Sequence, residues 1–279
     1  MIRLPFGKYF EMFIDLLKDQ FDPFFKGMKE VILAIIEKIE DILIFIPWWL
    51  IIILVALLAW RISGKKLAVL SAVGLYIIFG IGLWKEMIET LSLVFSATFL
   101  ALVMGIPLGI WMAKRDAVER LVKPILDLMQ TMPAFVYLIP SVIFFGLGKM
   151  PGAIATIIFA MPPVVRLTNL GIRQVPKDVI EAAISFGSTS RQMLLKVQIP
   201  LAMPTILAGV NQTIMLSLSM VVISAMIGAR GLGEVVLSGV TQMQIGDGFE
   251  GGIAVVILAI VLDRITQAIG NGAKSKTRV

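Results

Sequence analysis

Thr90–Ala113, TLSLVFSATFLALVMGIPLGIWMA, contains no charged residue. A helix that crosses a bilayer needs about 20 predominantly apolar residues, and this run exceeds that length. Inside hydrocarbon every backbone N–H and C=O must find its partner within the protein, which leaves helices or closed barrels. The run lacks the period-two alternation of a barrel strand, so it reads as a helix. It begins near Met87 as a span of about Met87–Ala113. Working outward, six further runs read the same way: Ile42–Trp60, Leu67–Trp84, about Leu128–Gly148, about Pro151–Leu170, one within the uncharged stretch Val197–Ala229, and about Phe249–Gly270. Trp48, Trp49 and Trp60 sit where interfacial anchors belong. The expected fold is therefore an all-α polytopic membrane protein of about seven spans.

Composition agrees and excludes several classes. The chain is 58% hydrophobic and 16% charged, against about 25% charged in a soluble domain. It has no cysteine and no histidine. That removes disulfides, thiol nucleophiles, Cys/His zinc sites and Ser–His catalysis. No acid pair forms an obvious site, so neither a catalytic residue nor a metal site is expected. No GxxxxGK[ST] run occurs, so no nucleotide is expected on a P-loop of this chain. The net charge of +6 reads as the positive-inside bias of a membrane protein rather than as a nucleic-acid surface.

The basic residues also set the expected orientation. Alternate connections collect Arg61, Lys65 and Lys66; Lys114, Arg115, Arg120 and Lys123; Arg166, Arg173, Lys177, Arg191 and Lys196; and Arg264, Lys274, Lys276 and Arg278. The short loops of the other set hold only Lys85, Lys149 and Arg230. The first set belongs on the cytoplasmic side, with the C-terminus, and seven spans then leave the N-terminus outside. Residues 1–41 carry six basic and eight acidic side chains and lack the apolar core and cleavage site of a leader peptide. Within them Met28–Asp41 places Val31, Ile32, Ile35, Ile36 and Ile39 at helical spacing. That amphipathic helix suits either the membrane interface or packing on the bundle. The organisation expected is an N-terminal segment 1–41, two accessory spans in 42–85, a core over 86–270 and a basic tail 271–279.

One cytoplasmic segment stands apart: Val175–Pro204, VPKDVIEAAISFGSTSRQMLLKVQIPLAMP. Asp178 and Glu181 have the spacing of a capping box that opens a short helix, Gly187 can close it in the left-handed conformation, and Thr189 with Gln192 opens a second helix. Pro200 and Pro204 mark the start of the next span. Two short helices joined by a turn are expected at the membrane surface. The small residues Ala182, Ala183 and Gly187 would let another surface approach the backbone, although a loop that merely caps the bundle has the same composition.

EAAISFGSTSRQMLLKVQIP resembles the cytoplasmic "EAA" motif of permease subunits in binding-protein-dependent ABC importers. That pattern is E-A-A, three residues, G, nine residues, then I-x-L-P. This sequence matches at Glu181, Ala182, Ala183, Gly187 and Pro200, with Val197 and Ile199 in place of Ile and Leu. QTMPAFVYLIP (130–140), MPPVVRLTNLGIRQVP (161–176), MIGARGLGE (226–234) and ILAIVLDRITQ (257–267) further resemble permeases for glycine betaine and related quaternary-amine osmoprotectants. The resemblance implies the type I ABC importer permease fold over roughly residues 86–268. It implies a second permease copy, two ATPase subunits carrying ATP and magnesium, and an extracytoplasmic substrate-binding protein. It also implies that the Glu181–Phe186 helix seats in a cleft of the ATPase.

For the translocation path, proline breaks are expected at Met132-Pro133, Pro140 and Met161-Pro162-Pro163, since freed backbone groups are tolerated where they line a cavity. Gln130, Thr131, Asn169, Asn211 and Gln212 add polar groups inside the membrane, which equally suit interhelical hydrogen bonds. A quaternary ammonium has no N–H donor, so cation–π contact and charge recognise it. Phe135, Tyr137, Phe144 and Phe145 are candidates that packing alone would also explain. Asp263 beside Arg264 reads as a local ion pair or a helix-terminus charge rather than a proton relay. Three other readings remain: an ion-coupled secondary transporter, an osmotic release channel, and a permease of the same fold for choline or methionine. The first would want buried carboxylates and repeat symmetry, and both are weak here.

Overall fold

A computed structural model describes residues 6–276, and every regular element among them is helical. α1 (Phe6–Phe45) is long and kinked at Phe21, two residues before Pro23. α2 (Trp48–Ser63) and α3 (Lys65–Gly80) form an antiparallel hairpin about Gly64, whose φ of 89° suits a residue without a side chain. α4 (Trp84–Lys114) and α5 (Asp116–Thr131) follow, then a 3₁₀ turn (Ala134–Tyr137) and the short α6 (Leu138–Phe145). α7 (Lys149–Arg173) leads to a small surface helix, α8 (Lys177–Ser185). A single turn, α9 (Ser190–Gln192), continues through a π-helical turn, Met193–Gln198, into α10 (Ile199–Ala225). α11 (Leu232–Thr241) and α12 (Ile245–Lys276) complete the chain.

α7 is the central rod, packed most extensively on α4 and α10. Glycines allow the close approach. Gly105 and Gly109 of α4 lie against Val164, Val165 and Thr168 of α7, and Gly209 of α10 lies against Val164. Lipid provides no hydrophobic drive between helices, so small residues and tight van der Waals packing hold them. α12 packs on α10 and α3, which attaches the accessory hairpin to the core.

Four helices are long and apolar enough to cross a membrane: Trp84–Lys114, Lys149–Arg173, Ser190–Ala225 and Ile245–Gly270. Counting each of two bent pairs as one span gives up to six among the described residues: Gln20–Phe45 with Trp48–Ser63 at 101°, and Asp116–Thr131 with Ala134–Phe145 at 110°. Three of the expected spans differ in their bounds or continuity from the runs read in the sequence. Ile42–Trp60 is divided at Ile46–Pro47, because Pro47 has no N–H to continue α1. Leu67–Trp84 is the 16-residue α3, about 24 Å long and shorter than a hydrocarbon core of about 30 Å. Leu128–Gly148 is broken at Met132–Pro133, where both residues are extended. The tail expected at 271–279 continues α12 to Lys276, and residues 277–279 lie outside the described residues.

The amphipathic stretch of α1 packs on the bundle. Ile36 is fully buried and Ile32 nearly so, against Leu93, Phe145, Met150 and Ala153. Lys149 Nζ donates to Glu40 Oε2 at 2.6 Å, and Phe25 stacks on Phe144 at 4.4 Å. α1 therefore covers the end of the bundle opposite α8.

Candidate functional site

Pro176 starts α8, and no side chain caps it. The capping box expected from Asp178 and Glu181 does not form. Asp178 instead lies in the first turn, where its charge favours the helix N-terminus. At the other end Phe186 N–H donates to Ala182 O at 3.1 Å, Gly187 N–H to Ile184 O at 2.8 Å, and Ser188 N–H to Ala183 O at 3.0 Å. This closure needs Gly187 at φ +77°. The second box is present as expected. Thr189 N–H donates to Gln192 Oε1 at 2.9 Å, and Gln192 N–H donates to Thr189 Oγ1 at 3.3 Å. The chain then runs as one rod, Ser190–Ala225, into the bundle. The wide π turn directly precedes Pro200, which has no N–H for an α-helical bond to the preceding turn.

The root of this hairpin is packed and its tip is bare. Met193 and Leu194 are buried, and Ile199 packs with Ile172, Ala202 and Ile206. Val197 is half-buried, and Pro200 is exposed. At the tip Glu181, Ala182 and Gly187 are exposed, Ala183 is half-buried, and no residue of α8 is buried. Ile184 is 59% and Phe186 92% exposed. Phe186, the last residue of the Glu181–Phe186 stretch, is an aromatic beside Gly187 in a polar loop, which is a local signal of this exposed tip.

The hairpin springs from a braced platform. Arg173 Nη2 lies 2.7 Å from Asp116 and 3.1 Å from Glu119, and donates to Met112 O at 2.9 Å. Its Nε donates to Asn169 Oδ1 at 3.0 Å, and Asn169 Nδ2 donates to Glu119 Oε1 at 2.9 Å. Arg166 pairs with Asp127. α4, α5 and α7 are thereby tied together three residues before Pro176. Arg173→Ala leaves Glu119 and Asn169 without these partners and is expected to cost about 1.5–3 kcal/mol. Thermal unfolding of the purified protein checks this, and Arg173→Lys should recover part of the loss.

The expected path residues divide between two places. Gln130 and Thr131 end α5 and are exposed, Met132 and Pro133 form the break, and Phe135 is half-exposed beyond it. Tyr137 turns inward. Its hydroxyl donates to Met129 O across the break, and its ring meets Phe159 edge-on at 6.2 Å. Asn211 lies elsewhere, on the α12 side of α10. Its Nδ2 donates to Asp263 Oδ1 at 3.1 Å, Thr266 donates to its oxygen, and it lines a cavity of about 300 Å³ with Gln212 and Gln267. Met220 of α10 does pack with Tyr137 and Leu138. It is nine residues beyond Asn211, half a turn away around the helix, so Asn211 is not brought to the broken span. Asp263 accepts from Asn211 and from Gln267 rather than pairing with Arg264. Of the expected proline breaks, only Met132-Pro133 interrupts a helix. Pro140 sits in the first turn of α6, and Pro162 and Pro163 are buried inside a continuous α7.

The chain is thus a membrane bundle with a bare helical hairpin rooted in the rod Ser190–Ala225. The chain belongs to the family of binding-protein-dependent transport system inner membrane components, which it matches over residues 105–274. It is 51% identical over 274 residues to the glycine betaine transport system permease protein OpuAB of Bacillus subtilis (strain 168), covering 98% of this chain and 97% of that protein. It is 49% identical to the glycine betaine/proline betaine transport system permease protein ProW of Escherichia coli (strain K12), covering 98% and 77%. A chain of the MetNI methionine ABC transporter, solved in inward-facing conformations, superposes with a TM-score of 0.61 at 20% identity, covering 70% of this chain and 96% of that one. That likeness fixes the fold as the type I ABC importer permease.

Proposed function

We propose that the chain is the membrane-spanning subunit of an ATP-driven importer of glycine betaine or a closely related quaternary amine. It works as a homodimer with two ATPase subunits, which carry ATP and magnesium, and with an external substrate-binding protein. The observation that carries the reading is the bare tip Ile184–Phe186–Gly187 on a packed root. Apolar side chains this exposed at a rigid turn suit a pocket on another protein. Closure of the ATPase pair would move the tip, and the rod Ser190–Ala225 would carry that movement into the bundle. The basic loops and the C-terminus face the cytoplasm with the hairpin, and the N-terminal helix lies at the outer end.

Gln130, Thr131, Met132, Pro133 and Phe135 at the broken span are the residues we assign to the path, and Tyr137 holds the break in shape. Phe135 offers its ring face to a passing ammonium. Phe135→Ala is expected to lower uptake roughly threefold to tenfold, the range of one cation–π contact, with unchanged affinity at the binding protein. Initial uptake rates and calorimetry of the binding protein check the two halves.

The deciding experiment is reconstitution with its ATPase and binding-protein partners, followed by radiolabelled glycine betaine uptake. Accumulation that requires ATP is the expected result. Uptake that persists without ATP hydrolysis and follows an ion gradient would overturn the proposal.

A further inference from the structure

α3 and α12 enclose a groove of about 410 Å³ on the surface of the bundle. On α3 its lining follows one helical stripe from Lys66 through Val69 and Val73 to Ile77, and Ile257 and Ile260 of α12 form the other wall. Gly74 makes the floor. A Cβ there would meet Ile257 Cγ2 at 2.7 Å, so the two helices touch at this glycine. Val69 and Val73 are 62% and 52% exposed.

Three observations say what fills it. From Lys66 to Ile77 the stripe covers twelve residues, eleven steps and about 16 Å of helix, close to the roughly 15 Å of one leaflet. The lining is apolar except at one end, where Lys66 stands. Arg61 and Lys65 flank Lys66, and no acidic residue occurs between Asp41 and Glu86 to neutralise the three locally. Among the described residues none of the three forms an ion pair. Gly64 supplies no side-chain cap to α3, so first-turn N–H groups add donors at the same end.

The geometry points to a resident anionic glycerophospholipid, with one acyl chain along the groove and its phosphate at Lys66, Arg61 and Lys65. The groove ends where the chain of a lipid in one leaflet ends, and its charged end is the headgroup end. The leaflet is the inner one, which rests on the orientation proposed above. The binding itself does not.

Native mass spectrometry of the complete transporter, stripped of lipid in detergent, tests this by titration with dioleoylphosphatidylglycerol or dioleoylphosphatidylcholine. One phosphatidylglycerol per permease chain is expected, held more tightly than phosphatidylcholine. Lys66 is exposed, so Lys66→Glu leaves packing intact. It should reduce the preference roughly twenty-five-fold, since it changes the charge by two units at a factor of roughly five each. Val73→Trp, which fills the groove and keeps the charge, should lower occupancy by both lipids. Equal retention of the two lipids, or indifference to Lys66→Glu, overturns the proposal. The chain has no cysteine, so Val73→Cys provides a single thiol in each permease copy. Rapid disulfide pairing between copies would assign the groove to a dimer interface and likewise overturn it. None of these readouts requires uptake, so failure of the importer reading would be seen separately.

Discussion

Gly187→Val is expected to lower ATP-driven uptake roughly tenfold or more, since left-handed backbone costs a substituted residue about 1–2 kcal/mol and a β-branched one more. Protein abundance should not change. A Cβ at this position would meet nothing within 4 Å, so the defect is conformational and not a clash. Relieving the strain means opening the turn that Gly187 N–H and Ser188 N–H close on Ile184 O and Ala183 O. Phe186 would then point elsewhere, and the contact with the motor would be lost while the bundle remains folded. Uptake and ATP hydrolysis measured on the same proteoliposomes check this, with hydrolysis losing its dependence on the loaded binding protein. Gly187→Asn is the control, because asparagine enters the left-handed region readily, and it should keep most activity. Normal uptake by Gly187→Val at full abundance would refute the role of the tip.

Gly109→Leu should act on the bundle itself. A Cβ at Gly109 would lie 2.6 Å from Val165 O and 2.7 Å from Thr168 Cβ. The first is backbone and cannot step aside, so α4 and α7 must separate along their longest contact. Overpacking of this kind costs about 1–3 kcal/mol for a few added methylenes, and a whole leucine against a main-chain carbonyl belongs at or above the upper end. The expected outcome is a sharp fall in folded protein after detergent extraction, read by size exclusion and thermal unfolding. Gly80→Leu is the matched control. Gly80 is exposed at the end of α3 with nothing within 4 Å of a Cβ, and stability should hardly change.

The hairpin was the most legible part of the sequence, for local reasons. The left-handed turn at Gly187 and the Thr189–Gln192 box depend on residues close in the chain, so spacing alone forecasts them. The Asp178–Glu181 spacing misled because Pro176 had already fixed where α8 begins. The bends of the membrane segments were less legible. Both halves of a broken apolar run are equally apolar, so hydropathy cannot say whether a proline interrupts the helix. Pro133 does, with Tyr137 bridging back to Met129 O, whereas Pro162 and Pro163 are held in line by neighbours on both sides of α7. The ties of Arg173 to Met112 O, Asp116 and Glu119 and the seat of Asn211 on Asp263 join residues tens of positions apart. Nothing in their spacing announces them.

The ties between α1 and the junction of α6 with α7 have a consequence for recognition. Glu40 on Lys149, and Phe25 on Phe144, fasten α1 to the far end of the central rod. Whatever soluble protein lands there meets a broadened platform whose rim shifts whenever that rod shifts. In the importer proposed above, arrival of cargo on one side and the stroke on the other would be joined through a strap that the core alone would not possess.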